Sequence, residues 1–112
     1  MTDITHIETI AVIGSGQMGA GIAQVAAQSG LRVRLYDLQD AAVEKAKASM
    51  ARSLAKLEAK ARLAEGDDAA TVLARVHFTT TFDELADADF AVEAIVENEA
   101  IKRDLFAKLD GL

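Results

Sequence analysis

Ile10-Ala11-Val12-Ile13-Gly14-Ser15-Gly16-Gln17-Met18-Gly19 decides the fold. A short β-branched run stops at a glycine, and small and apolar residues at helical spacing take over from Met18. Residues 7–13 therefore read as a buried parallel strand, which is apolar on both faces. Residues 18–29 read as a helix presenting Met18, Ile22, Val25 and Ala26, with Gly30 as its left-handed C-terminal cap.

Outward from this unit, residues 31–36 form a second strand ending at Asp37. A long helix over residues 40–64 follows. Asp40 is its expected N-cap, and Val43, Ala46, Met50, Leu54, Leu57 and Ala61 form one apolar stripe. Residues 65–68 make a turn with a new N-cap, and a short helix over 69–75 packs back on the long one. A third strand (76–80), a short helix (81–88) carrying Phe82 and Leu85, and a fourth strand (90–95) complete the alternation. Asn98 is placed to cap a last helix holding Ile101, Leu105, Phe106 and Leu109.

This order predicts an α/β architecture, a Rossmann-type doubly wound parallel sheet of strand order 3-2-1-4, with a helical hairpin between strands 2 and 3. A complete fold of this type has two halves and about six strands. Only four fit here, so residues 1–112 are expected to be a truncated domain of a longer protein, a minimal four-stranded domain being the alternative.

Composition narrows the chemistry. The chain has 112 residues, a net charge of −6, 51% hydrophobic residues and 4% aromatics, so Ala, Val, Leu and Ile must supply the core. With no cysteine there is no disulfide, thiolate nucleophile or thiolate metal site. The acidic balance opposes nonspecific binding to nucleic acid. No apolar run reaches membrane-spanning length, and Asp3 and Glu8 precede the first one, unlike a signal or transit peptide. The expected location is the cytoplasm.

Gly14 to Gly19 is a G-x-G-x-x-G run between a strand and a helix, with Asp37 eighteen residues beyond its third glycine. That context points to a dinucleotide. Gly14 permits the tight turn, Gly16 lets a pyrophosphate approach the backbone, and Gly19 lets helix and strand pack closely, a contact that Gly21 is expected to extend. Free N–H groups at Ser15, Gly16, Gln17 and Met18 and the positive helix end suit the phosphates. The Asp37 carboxylate can accept both adenosine ribose hydroxyls and repel a 2′-phosphate. No cation stands at Leu38, Gln39 or Asp40 to hold NADP, so NAD is the expected cofactor. The loop lacks the Lys-Ser or Lys-Thr ending of a P-loop NTPase.

Within residues 40–64, six cations face three acids on an otherwise acidic chain. Ser53, Lys56 and Lys60 share one face, suited to a polyanionic substrate tail or simply to solvent. Candidates for proton transfer are poor. His6 and His77 stand near the amino ends of strands, where surface or packing roles suffice, and two separated histidines make no metal site. Glu93 and Glu97 lie at and after the carboxyl end of the fourth strand, where a carboxylate could orient a hydroxyl as readily as move a proton. No residue is assigned a catalytic role.

The run from Ile10 through Ala27, together with Val92-Glu-Ala-Ile-Val-Glu-Asn98, resembles the NAD-binding domain of the 3-hydroxyacyl-CoA dehydrogenases, and among them the bacterial 3-hydroxybutyryl-CoA dehydrogenases. The resemblance covers essentially the whole chain. It implies an oxidoreductase that reversibly oxidises (S)-3-hydroxyacyl-CoA to 3-oxoacyl-CoA with NAD, in fatty-acid or short-chain acyl-CoA metabolism. It further implies that Glu97 and Lys102 contact NAD on its ribose–nicotinamide side, and that Ser53 and Lys60 contact the CoA portion of the substrate. By the same resemblance, the catalytic His–Glu pair and a helical domain that makes a homodimer lie beyond residue 112, so these residues bind NAD without turning over substrate. An NAD-sensing regulatory module, or a 3-hydroxy acid dehydrogenase independent of CoA, are the alternatives.

Overall fold

A computed structural model describes residues 8–94. The expected last helix, His6, Glu97 and Lys102 lie outside the described residues. Four parallel strands, β1 (Thr9–Ile13), β2 (Arg32–Tyr36), β3 (Val76–Thr79) and β4 (Phe90–Glu93), form one sheet in the order β3-β2-β1-β4. Ile13 aligns with both Tyr36 and Glu93, so the strands end level at one carboxyl edge.

The sheet has two unlike faces. Ile10, Val12, Val33 and Leu35 pack under α1 (Gln17–Gln28), α2 (Asp40–Ala59) and α3 (Ala69–Ala74). Ala11, Ile13 and Tyr36 pack on the other face under a short 3-10 helix (Phe82–Leu85), where Phe82 stands edge-on to Tyr36 at 5.3 Å. The expected α-helix over 81–88 is thus a single tight turn, too short for an apolar stripe. Only Leu85 of that turn is buried.

The fold corrects four details. The buried side of α1 is Gly19, Ala23, Ala26 and Ala27, while Met18 and Val25 are 52% and 65% exposed. Small side chains bring α1 close to the sheet, and the larger ones flank the contact. Gly21 takes no part in it: a Cβ there would meet nothing within 4 Å. Gln39, not Asp40, is the N-cap of α2, and Asp40 opens the first turn, where its charge suits the helix dipole. Finally, α2 stops at Ala59 with Lys60 as C-cap, and Ala61 adopts φ +54 beyond it. Val43, Ala46, Met50 and Leu54 are the buried part of its stripe.

The remaining punctuation follows expectation. Gly30 takes φ +95, the N–H of Leu31 donates to the Ala26 carbonyl and that of Gly30 to Ala27, closing α1. Asp68 caps α3, accepting from the Thr71 N–H at 2.7 Å. The Arg75 guanidinium donates to Asp67 and to the Ala27 carbonyl, tying the hairpin's return to the end of α1.

Candidate dinucleotide site

The glycine loop leaves β1 at the carboxyl edge. Gly14 turns with φ +106, a conformation costly to any residue with a Cβ, and its N–H donates to the Tyr36 carbonyl at 2.8 Å. Gly19, one turn into α1, sits against that turn: a Cβ there would lie 1.7 Å from the Gly14 carbonyl oxygen. Helix and loop therefore touch where the sequence expected them to. Gly16 is different. It is the N-cap of α1, exposed, with ordinary φ −65, and a Cβ would meet nothing within 4 Å. The space over Gly16 is a cradle that a side chain would fill.

Around that space the helix end is bare. The first helical bond runs from the Ala20 N–H to the Gly16 carbonyl, no side chain caps the terminus, and no acid stands in the first turn. The N–H groups of Gln17, Met18 and Gly19 precede the helical ladder, and the positive end of the dipole is unopposed. This donor set fits a diphosphate.

Asp37 follows β2 beside this loop. Its Oδ2 accepts from both the N–H and the Oγ of Ser15, at 3.0 and 2.9 Å, and its Oδ1 accepts from the Gln39 N–H at 3.2 Å. The sequence placed Asp37 at the strand end but gave no sign of the Ser15 contact, because the two residues are 22 positions apart. The buried Tyr36 phenol next to it is pushed above its ordinary value, first by desolvation and then by the Asp37 charge. Glu93 closes β4 at the same edge, level with Ile13.

A groove of about 440 Å³ opens between the loop and α2, lined by Ser15, Gly16, Gln17, Ala42, Lys45 and Ser49. Lys45 is a cation near the loop that no reading of residues 38–40 could find. A larger cleft, about 650 Å³, lies at the opposite edge of the sheet around Arg34, Arg75, His77 and Glu84. Four of the titratable residues around it are already partnered. Arg34 pairs with Asp87, Arg75 with Asp67, and His77 Nε2 lies 2.6 Å from Glu84 Oε2. His77 is thus a surface partner far from the glycine loop.

The expected CoA contacts are not gathered at the loop. Ser53 is half-buried and accepts from Gln24 Nε2 at 3.0 Å, joining α2 to α1. Lys60 is exposed at the far end of α2, about 30 Å along the helix from Asp40. Among the described residues no group of three His, Asp or Glu side chains is placed to hold a metal ion, and no helix is long and apolar enough to cross a membrane.

Residues 9–112 match the family model described as "3-hydroxyacyl-CoA dehydrogenase, NAD binding domain". A probable 3-hydroxybutyryl-CoA dehydrogenase of Deinococcus radiodurans is 51% identical over 98 residues, covering 88% of this chain and 34% of that protein. A second, of Bacillus subtilis, is 39% identical over 96% of this chain and 37% of its own length. The crystal structure of (S)-3-hydroxybutyryl-CoA dehydrogenase from Ralstonia eutropha superposes with a TM-score of 0.85 at 42% identity, covering 94% of this chain and 37% of that one. The chain thus spans about a third of the length of these relatives.

Proposed function

Because the chain belongs to the NAD-binding domain family of the 3-hydroxyacyl-CoA dehydrogenases, we propose that it is the cofactor-holding part of an oxidoreductase that interconverts (S)-3-hydroxyacyl-CoA and 3-oxoacyl-CoA. The carrying observation is the open cradle over Gly16 with the Asp37 carboxylate held beside it. In this proposal the N–H groups from Gly16 to Gly19 bind the diphosphate, while Ser15 gives its N–H to Asp37, which binds the adenosine ribose. The nicotinamide, when bound, supplies a hydride acceptor and donor. This chain's residues bind and orient.

Calorimetric titration with NADH tests the binding. Saturable heat is expected, with Asp37→Ala weakening it about tenfold and narrowing the preference over NADPH, in line with loss of charge-assisted hydrogen bonds. No heat from folded protein defeats the proposal. Loss of nicotinamide absorbance on adding acetoacetyl-CoA, in the whole protein that carries this chain, tests the reaction.

The proposal extends to Glu97 and Lys102 as contacts on the ribose–nicotinamide side, to Ser53 and Lys60 as CoA contacts, and to a cytoplasmic homodimer in acyl-CoA metabolism. It rests there on the family resemblance alone. Only a ligand as long as CoA could use Lys60 together with the loop. The engagement of Ser53 with Gln24 favours a second reading, a 3-hydroxy acid dehydrogenase independent of CoA. Lys60→Ala separates them. It weakens acyl-CoA binding a few-fold under the first and leaves substrate affinity unchanged under the second, with NADH affinity constant in both.

A further inference from the structure

We propose that Ser15 is a positioning residue that sets cofactor preference through Asp37 rather than through the phosphates. This rests on the reading of Asp37 as the ribose acceptor. Ser15 is the second residue of the glycine run, where the loop needs only a backbone N–H. Yet the residue is only 5% exposed and its hydroxyl is spent on Asp37 Oδ2 at 2.9 Å. The hydroxyl therefore faces the strand end and not the cradle over Gly16.

The geometry explains what this achieves. A carboxylate offers about four lone-pair directions. Three are taken by the Ser15 N–H, the Ser15 hydroxyl and the Gln39 N–H. The two main-chain donors hold one oxygen each, the Ser15 N–H on Oδ2 and the Gln39 N–H on Oδ1. Ser15 Oγ adds a second bond to Oδ2 and so fastens the carboxylate more tightly to the loop before any nucleotide arrives. A carboxylate held in this way loses less freedom when a ribose hydroxyl donates to the one direction left open. It also keeps its negative charge where a 2′-phosphate would have to sit, instead of swinging out toward solvent. Lys45 lines the neighbouring groove, so a displaced Asp37 would leave a cation able to draw that phosphate. Ser15 thereby favours a free 2′-hydroxyl twice, by preorganising its acceptor and by holding the repelling charge in place.

The test is a double-mutant cycle on NADH and NADPH dissociation constants, by calorimetry on the purified chain. Ser15→Ala is expected to weaken NADH three- to tenfold and to narrow the NADH-over-NADPH ratio. In the Asp37→Ala background the same substitution should change neither constant, since the group it positions is gone. Ser15→Thr, which retains the hydroxyl, should restore most of the preference. If Ser15→Thr does not fold, the cycle alone decides. An equal loss from Ser15→Ala in both backgrounds would show that Ser15 acts on the diphosphate, and would overturn the positioning role while leaving Asp37 as ribose acceptor. No effect of Asp37→Ala on either nucleotide would instead remove the Asp37 reading itself.

Discussion

Two glycines three positions apart do unlike work. At Gly19 a methyl group would penetrate the Gly14 carbonyl, whereas at Gly16 it would enter open space. Gly19→Ala must shift helix against loop, and is expected to cost roughly 2–3 kcal/mol, the scale of overpacking in a tight contact. Gly16→Ala should cost less than about 1 kcal/mol, the scale of an unfavourable N-cap, yet abolish detectable NADH binding by filling the cradle. Urea denaturation paired with NADH titration of both variants checks this. A stable Gly19→Ala, or a Gly16→Ala that still binds NADH, contradicts the assignment. The close packing at Gly19 was legible in the sequence because strand, turn and helix are contiguous there. The bond from Ser15 to Asp37 was not, since only pairing of β1 with β2 brings the two residues together.

Among the elements, α2 ends in an unusual way. The Arg62 N–H donates to the Leu57 carbonyl and the Ala61 N–H to Glu58, a closing motif that places Ala61 at φ +54. Glycine normally takes this position because L residues are strained there. Ala61→Gly should therefore raise stability by about 0.5–1 kcal/mol, read as a higher urea midpoint with unchanged slope. The apolar period through Ala61 suggested a helix running to residue 64, since periodicity cannot register a reversal of backbone hand. The buried face of α1 departs from the apolar period for a related reason. Met18 and Val25 are exposed and Ile22 is only half-buried, because the close contact at Gly19 sets the helix's rotation and turns Ala23, Ala26 and Ala27 inward.

Across the whole molecule, exposed carboxylates serve as fasteners. Asp89 accepts from the N–H groups of Glu8 and Thr9, joining the start of β4 to the start of β1. Those bonds hold its pKa below the ordinary carboxylate value. Asp68 is lowered by its bond from Thr71, and Glu84 by its bonds with Thr79 and then His77. A group with a depressed folded pKa contributes stability above its unfolded pKa and loses it as pH falls through the folded one. The urea midpoint is thus expected to be flat near neutrality and to fall below the ordinary carboxylate range. Asp89→Asn should flatten part of that fall. An acid limb identical in Asp89→Asn and the parent chain would show that Asp89 contributes nothing to it.

By itself the sequence determined the alternation of strands and helices, the parallel order 3-2-1-4, the glycine turn and the acid at the end of β2. Each is written in contiguous residues or in a handedness rule that all such chains obey. Tertiary structure alone decided which side of α1 is buried, where α2 stops, that Lys45 borders the loop and that Ser15 grips Asp37. These depend on how separate segments meet in space, and contact between distant residues leaves no period in the chain.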